Sequence, residues 1–415
     1  MIRPAAGRAA LAFIFVTVVL DMLAIGIMVP VLPKLILELS AGQVGTAAQL
    51  AGFFSFTWAS MQFLCSPWVG ALSDRYGRRP IILLSNLGLG LDYLLMATAP
   101  TLGWLWIGRV LSGITAASYS TATAYVADVT EPAARARAFG WLGAAFGLGF
   151  MVGPALGGVL GAIDLRLPFW VAAGLSLTNA LYGLLVLPES LPPALRQPRL
   201  TWAQVNPLAP LRLLRRRHLR RLGVASWLGD LAHHTLPSLF VLYADVQFGW
   251  GPRTVGWVIA GSGVASTLVS AVGVGPVVAR LGEQRTIALG LLLGAASFFC
   301  YGFAPTGALF LVGIPLNALW GLASPVMQAR MTRHIDPQAQ GQLQGALSSL
   351  HGIAGMLGPI LFTQVFVAAL AAAPPWHLPG APFVAAALCL LLSLRILQPR
   401  DPLSETSLKR VPPGT

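Results

Sequence analysis

The chain is 415 residues long, 56% hydrophobic and only 10% charged, yet its formal net charge is +13. An ordinary soluble domain carries roughly a quarter charged residues, so a water-soluble globule is excluded. The basic excess must then be explained by where it falls along the chain.

Apolar runs of about 20 residues, enough for a helix to cross a ~30 Å hydrocarbon layer, recur near 10–34, 46–69, 81–99, 102–126, 138–162, 169–187, 222–244, 254–279, 286–303, 307–329, 341–368 and 380–397. They are continuous, not ten-residue alternations. Only helices and closed barrels satisfy their backbone in lipid, so the pattern predicts an all-α integral membrane protein of twelve transmembrane helices. The first run follows Arg3 and Arg8 but continues through Asp21 without a small-residue cleavage site, and reads as a span, not a removable leader. Cys65, Cys300 and Cys389 all lie inside apolar runs. They are expected to be small buried hydrophobes, not disulfides or metal ligands.

Span 1 carries Asp21 in "VLDMLAIGIMVPVLP", span 3 carries Asp92 and span 4 carries Arg109. A charge at such a depth costs about 2.5–3.5 kcal/mol on insertion scales, so each needs a reason. Arg109 cannot discharge itself and demands a carboxylate or a polar cavity, with Asp21 the first candidate partner. Positive charge favours the ionised carboxylate and desolvation the neutral one. A bound solute that tips this balance releases a proton. Asp21 is the first candidate for that role and Asp92 the next, and a purely structural ion pair is the alternative.

Between spans 2 and 3 the stretch "GALSDRYGRRP" packs Gly70, Asp74, Arg75, Gly77, Arg78 and Arg79 into one short loop. Asp74 is expected to face the partially positive N-terminus of the span opening near 341, and the arginines to engage carboxylates or lipid head groups. Gly70 and Gly77 allow a tight turn and close helix approach. In span 5, Gly149, Gly153 and Gly157 recur at every fourth position around Pro154, a groove for a neighbouring helix with a bend beside it.

The Pro- and Arg-rich stretch 188–221 divides the spans six and six, giving an N-terminal bundle over 1–187, a linker over 188–221, a C-terminal bundle over 222–397 and a tail over 398–415. Sliding the second half onto the first gives a constant offset of 205, relating Gly275 to Gly70, Arg280 to Arg75, Gly282 to Gly77, Gly313 to Gly108, Gly345 to Gly140 and Gly358-Pro359 to Gly153-Pro154. Two six-helix halves related as parallel repeats are a transporter architecture, with the solute site between them near the membrane midplane. Span 7 adds Asp230, about two turns deep near the inner rim, and His233 and His234, which either line that cavity or bond within the bundle. His351 in span 11 is a further candidate for the cavity.

With twelve spans, the loops on one side hold Arg75, Arg78, Arg79, Arg135, Arg137, eight arginines between Arg196 and Arg221, and Arg280, Arg285, Arg330 and Arg333. The other side holds Lys34, Arg166 and Arg253. The asymmetry predicts both termini in the cytoplasm. It makes "LRLLRRRHLRRLG" at 211–223 a topology anchor on an anionic leaflet and leaves no role for nucleic acid.

The loop at 70–80 resembles the signature loop of the major facilitator superfamily, where it acts as a latch. The match narrows to the tetracycline-efflux branch of drug/proton antiporters at "LDMLAIGIMVPVLPKL", "SDRYGRRPIILLSNLGLGLDYLLMATAP", "GRVLSGITAAS", "FGWLGAAFGLGFMVGPALGG", "FGWGPRTVGWVIAGSG" and "GQLQGALSSLHGIAGMLGPILF". By this resemblance Asp21, Asp92 and Arg109 are the intramembrane charged positions, Gln62 a polar cavity position, and the Gly-Pro motif of span 5 a mark of antiporters. Helices 1, 4, 7 and 10 line the pathway in this family, which adds Asn317 and Trp320 to the cavity. The second half departs: where tetracycline exporters carry a His in helix 8 and an acid in helix 9, this chain has about Ser266 and Gly294, neither of which titrates. The cargo stays open between tetracycline, another drug and a metabolite.

These observations predict a secondary transporter in a bacterial inner membrane, working as a single chain on a small amphipathic solute and protons, without cofactor. A proton-coupled importer of a sugar or other metabolite would use the same scaffold. No GxxxxGK[ST] motif is present, so ATP is not the energy source. An enzyme is disfavoured because the adjacent His233 and His234 point to different helix faces and cannot chelate one ion as an i, i+4 pair would. A receptor or scaffold acting through the basic linker would tolerate loss of Asp21 or Arg109, and a transporter would not.

Overall fold

The computed structural model describes residues 4–116, 118–131, 134–197, 205–215, 217–333, 335–336, 340–373 and 378–398. The expected tail from 399 onward, and Arg199 and Arg216 of the basic run, lie outside the described residues. The described segments are helices, turns and coil. Numbered by span, they are α1a (Pro4–Met28) and α1b (Leu32–Leu39), α2 (Val44–Tyr76), α3 (Arg78–Thr98), α4a (Leu102–Thr115) and α4b (Ser118–Val129), α5 (Arg135–Gly161) and α6 (Leu167–Val186). After the linker come α7a (Arg217–His233) and α7b (Thr235–Phe248), α8a (Pro252–Leu268) and α8b (Val274–Leu281), α9 (Glu283–Phe303), α10a (Gly307–Trp320) and α10b (Ala323–Thr332), α11 (Gln340–Ala371) and α12 (Ala381–Leu397).

Among the described residues, eight spans are long and apolar enough to cross a membrane by length and composition. The 33-residue α2, the interrupted α4 and α7, and the 17-residue α12 make up the remaining four of the expected twelve. The limits shift at two places. The first span continues to Leu39 after a turn at 29–31, and the seventh opens at Arg217, inside the basic run. Two short 3₁₀ turns, Pro193–Leu195 and Ala209–Arg215, fold within the linker.

The internal repeat reappears in the helix limits. Shifting α3 by 205 gives α9, shifting α4a gives α10a, and the starts of α5 and α11 differ by the same 205. Gly77 and Gly282, one offset apart, both hold positive φ, at 109° and 75°. Both sit between consecutive helices where the chain reverses, a conformation that favours glycine. The interruptions follow the repeat too: α1 and α7 break at 29–31 and at 234, α4 and α10 after Thr115 and Trp320. A break frees backbone groups that a continuous helix would satisfy, and a membrane protein tolerates this only where protein or a cavity takes them up. These are the four spans expected to line the pathway. In α8 a π turn over Val269–Gly273 does the same on a smaller scale.

Within the N-terminal half, the small-residue stripe of α5 receives α1a. A Cβ on Gly149 would lie 2.7 Å from the Val19 carbonyl oxygen, and one on Gly153 would lie 2.7 Å from Gly26 Cα, so the backbones touch only because these positions are glycine. The adjacent face of α5 meets α8a of the other half, where a Cβ on Gly158 would stand 3.0 Å from Gly256 Cα. The second seam joins α2 to α11, with a Gly52 Cβ 3.1 Å from the Pro359 carbonyl oxygen and a Gly352 Cβ 2.5 Å from the Phe63 ring. Lys34 on α1b and Asp245 on α7b close an ion pair across the halves.

Both seams open toward the end that carries the arginine loops. Along α5 the stripe that touches α8a continues through Gly147, Gly143 and Gly140, where a Cβ would meet nothing within 4 Å among the described residues. Gly70 on α2, Gly275 on α8b and Gly341 on α11 are equally open. The two halves therefore meet along both seams at the far end and stand apart at the basic end.

Candidate functional site

The intramembrane charges resolve into two separate groups. Arg109 on α4a donates Nη2 to Asp92 Oδ2 on α3 at 3.0 Å and lies 3.3 Å from Met96 Sδ. The pair is buried, Asp92 at 0% and Arg109 at 4% exposure. Gly108 makes the approach possible, because a Cβ there would stand 2.5 Å from Asp92 Oδ1. Asp92 Oδ1 and Arg109 Nε have no hydrogen-bonding partner among the described residues. The carboxylate is held by the guanidinium and by the Ser112 side chain, one turn beyond Arg109 on α4a.

The expectation that Asp21 partners Arg109 is corrected by this geometry. Asp21 on α1a turns instead toward α3 and α6. Asn179 donates Nδ2 to Asp21 Oδ1 at 3.1 Å, and Asn86, with its amide turned to the acid, donates to both carboxylate oxygens at 3.2 Å while accepting from Asn179 at 3.0 Å. Thr17, one turn before Asp21, donates its hydroxyl to Asn179 Oδ1 at 3.1 Å. Asp21 is 2% exposed and set in a cage of amides inside its own half. The sequence carried a signal for this cage: Asn86 and Asn179 are polar side chains in apolar runs and need partners as much as the charges do.

The loop between α2 and α3 also differs from expectation. Asp74 does not reach toward the helix opening near 341; its ion-pair partner is Arg78, at 2.5 Å. Arg78 also donates Nε to Asp128 Oδ2 at 3.1 Å and Nη1 to Ser73 Oγ at 2.7 Å, while its backbone N–H donates to Glu189 Oε1 at 2.9 Å. Arg79 donates to the Leu184 carbonyl at 2.8 Å, and Arg75 lies over the Tyr76 ring at 5.2 Å. The reason is conformational: with the basic ends parted, the far partner is out of reach and the loop closes on the ends of α4b and α6. Asp128 and Glu189, which sequence reasoning missed, are acids at the ends of spans facing the arginine-rich loop.

Four titratable side chains of the C-terminal half, Asp230, His233, His234 and His351, gather at the break in α7. His351 Nδ1 on α11 lies 3.5 Å from Asp230 Oδ1, with the His351 side chain 60% exposed and Asp230 34%. The His234 ring is 5.5 Å from that of His351 and 6.2 Å from that of His233, which is in turn 6.0 Å from Trp320. His234 fits against the Gly-Pro turn of α11, where a Cβ on Gly358 would fall 2.7 Å from its own Cβ. Asn317 donates Nδ2 to Ser297 Oγ at 3.2 Å. These two residues stand one repeat away from Ser112 and Asp92, so the second half holds a neutral pair where the first holds an acid.

Ser266 is exposed on α8a, and Gly294 is packed under Trp320: a Cβ at 294 would lie 2.8 Å from the indole Cγ. The indole thus fills the space an acidic side chain there would need. Gln62 lies half-buried on α2, next in the chain to Phe63, which meets α11 at Gly352. The structure therefore brings Asp230, His233, His234, His351 and Trp320 together at the parted interface and leaves Asp92 with Arg109 and Asp21 as two sealed groups in the first half.

The family model for the Major Facilitator Superfamily matches residues 14–247 and, a second time, 222–413. The chain is similar to the class C tetracycline resistance protein of Escherichia coli, 36% identical over 390 residues that cover 94% of this chain and 96% of the relative. The class G tetracycline resistance protein of Vibrio anguillarum is 35% identical over 91% of this chain and 94% of its own length. Among solved structures, the human organic anion transporter TETRAN matches with a TM-score of 0.69 and 25% identity, over 94% of this chain and 99% of that one. A bacterial homologue of the human lysosomal transporter Spinster matches with a TM-score of 0.77 over 96% and 97% of the two chains, and at 15% identity it speaks for the fold alone.

Proposed function

The chain belongs to the major facilitator superfamily, a multi-pass secondary transporter and not an enzyme, and from that premise we propose that it exports a small amphipathic drug in exchange for protons. Tetracycline is the first candidate, from the names of relatives that share about a third of its residues across nearly its whole length. The basic end faces the cytoplasm by the distribution of arginines. The parted halves then represent the state that collects cargo from inside, and closing the basic end while opening the far end releases it. The proton gradient supplies the energy without a cofactor, and one chain suffices because both halves of the cavity belong to it.

The observation that carries this reading is the Asp92–Arg109 pair, sealed at 0% and 4% exposure. For stability alone, well-packed apolar residues of the same volume serve as well or better than a buried ion pair. Retaining a permanent cation and an acid at that depth supports a role in proton exchange. Asp21, caged by Asn86 and Asn179, acts as the second acid of the first half. Gln62, Asn317, Trp320 and the histidines line the route of the cargo.

The test is a drug-susceptibility panel in an efflux-deficient bacterium expressing the chain or its Asp92→Asn variant. Resistance to tetracycline or another amphipathic drug that the substitution erases is the expected result. Equal resistance from the wild type and the variant, at equal membrane content, removes the proposed role of Asp92. No protection by the wild type against any drug removes the export reading.

A further inference from the structure

The antiport reading leaves the C-terminal half without a defined proton site, since positions 266 and 294 hold a serine and a glycine and Trp320 occupies the space beside Gly294. The same half nevertheless carries an acid and three imidazoles within contact of one another, at the point where α7 is interrupted. Asp230 lies on the last turn of α7a, His234 is the break itself, and His351 reaches them from α11. The neighbouring residue Gly352 touches Phe63 of α2, and from there toward the basic end the halves part, so the pair stands at the inner end of the α2–α11 seam.

Resting on the antiport reading, we propose that Asp230 and His351 form the proton-exchange site of the C-terminal half, and that the cargo they exchange for a proton is an amphipathic cation lodged against Trp320. The titratable groups facing His351 are Asp230, His233 and His234, all from α7 and its break. From α2 the seam presents Phe63 and Ala59, and from α10a Trp320, none of which titrates. The 3₁₀ turn packs Pro210 against Gly345 of α11 and Leu214 against Gly223 of α7a, with its Arg212 and Arg215 exposed.

The exchange follows from charge balance at one carboxylate. With His351 protonated, the imidazolium is the counter-ion of Asp230 and a second cation is repelled. When a cationic drug enters from the basic end and stacks on Trp320, it takes over the carboxylate, and His351 gives its proton to water on that side. With the far end open, the drug leaves and His351 takes a proton from water there. One proton moves inward for each cation that moves out, and no other reactant is needed.

Two measurements test this on the full-length protein. Diethylpyrocarbonate modifies only neutral imidazole, so mass spectrometry of His351 modification across pH 5.5–7.5 reads its protonation directly. In Asp230→Asn the loss of the carboxylate is expected to raise the rate at His351 several-fold in the acidic part of that range, and Asp230→Glu to restore the wild-type profile. Identical profiles in wild type and Asp230→Asn overturn the proposal. In everted membrane vesicles with an imposed pH gradient, tetracycline with Mg²⁺ is expected to move protons through the wild type and Asp230→Glu, and not through Asp230→Asn or His351→Gln at equal membrane content. Full coupling in the last two removes this site while leaving the antiport reading intact. No tetracycline-linked proton movement in the wild type removes both.

Discussion

Removing one member of the buried pair should damage the protein more than removing both. Asp92 is fully buried and the Arg109 side chain is 5% exposed, with 3.0 Å between donor and acceptor. Arg109→Met leaves a carboxylate in a dry site, and Asp92→Asn leaves a guanidinium that cannot discharge. Breaking a buried pair from either side costs about 3–5 kcal/mol. The double variant Asp92→Asn, Arg109→Met removes both charges at nearly constant volume, and its cost is expected to be near zero. At about 2 °C per kcal/mol for a unit the size of one half, each single variant should unfold at least about 6 °C below wild type. Thermal unfolding in detergent, followed by intrinsic fluorescence, should therefore place the double variant above both singles, while drug resistance is lost in all three. A double variant as unstable as the singles would refute the claim that the two charges answer each other. One that still confers resistance would refute the claim that the pair exists for transport.

At the sealed end, Gly256→Leu should wedge α8a away from α5, because a Cβ there already falls 2.9 Å from Gly158 Cα. Cysteine labelling at the far end should increase and transport should fall; unchanged labelling would contradict the seam. Gly77→Ala and Gly282→Ala share the strain of a positive φ, about 1 kcal/mol, but only at Gly77 would the new Cβ collide with Glu189. The first should lose more folded protein than the second by fluorescence-detected size exclusion, and equal losses would contradict the packing of Glu189. Gly294→Asp should fold poorly against the Trp320 indole and recover when combined with Trp320→Ala, as read from the same profiles.

The spans were legible because lipid imposes one requirement, a helix-length apolar run, and composition alone meets or fails it. The repeat was legible through its glycines and prolines, and the helix limits reproduce the offset of 205. What could not be read was rotation about each helix axis. Asp21 and Asp92 look alike in sequence, two acids in apolar runs, but α1a turns Asp21 toward Asn86 and Asn179 while Gly108 lets α4a bring Arg109 onto Asp92. The breaks in α1, α4, α7 and α10 were equally hidden, since an interruption such as His234 is stabilised by the glycines of α11 and not by its own neighbours. Asp74 was read for a contact across the halves, and the structure shows the parted state in which Arg78 takes it instead. A sequence encodes both states and displays neither.

The central claim is that drug and protons move in opposite directions through the space between the halves. Everted vesicles carrying the chain, with an acid-inside pH gradient reported by a fluorescent weak base, test it most directly. Adding tetracycline with Mg²⁺ should partly collapse the gradient as drug enters and protons leave, and Asp92→Asn vesicles should show no drug-linked change. Drug accumulation that proceeds without any proton movement, or that persists undiminished in the Asp92→Asn vesicles, would contradict the account.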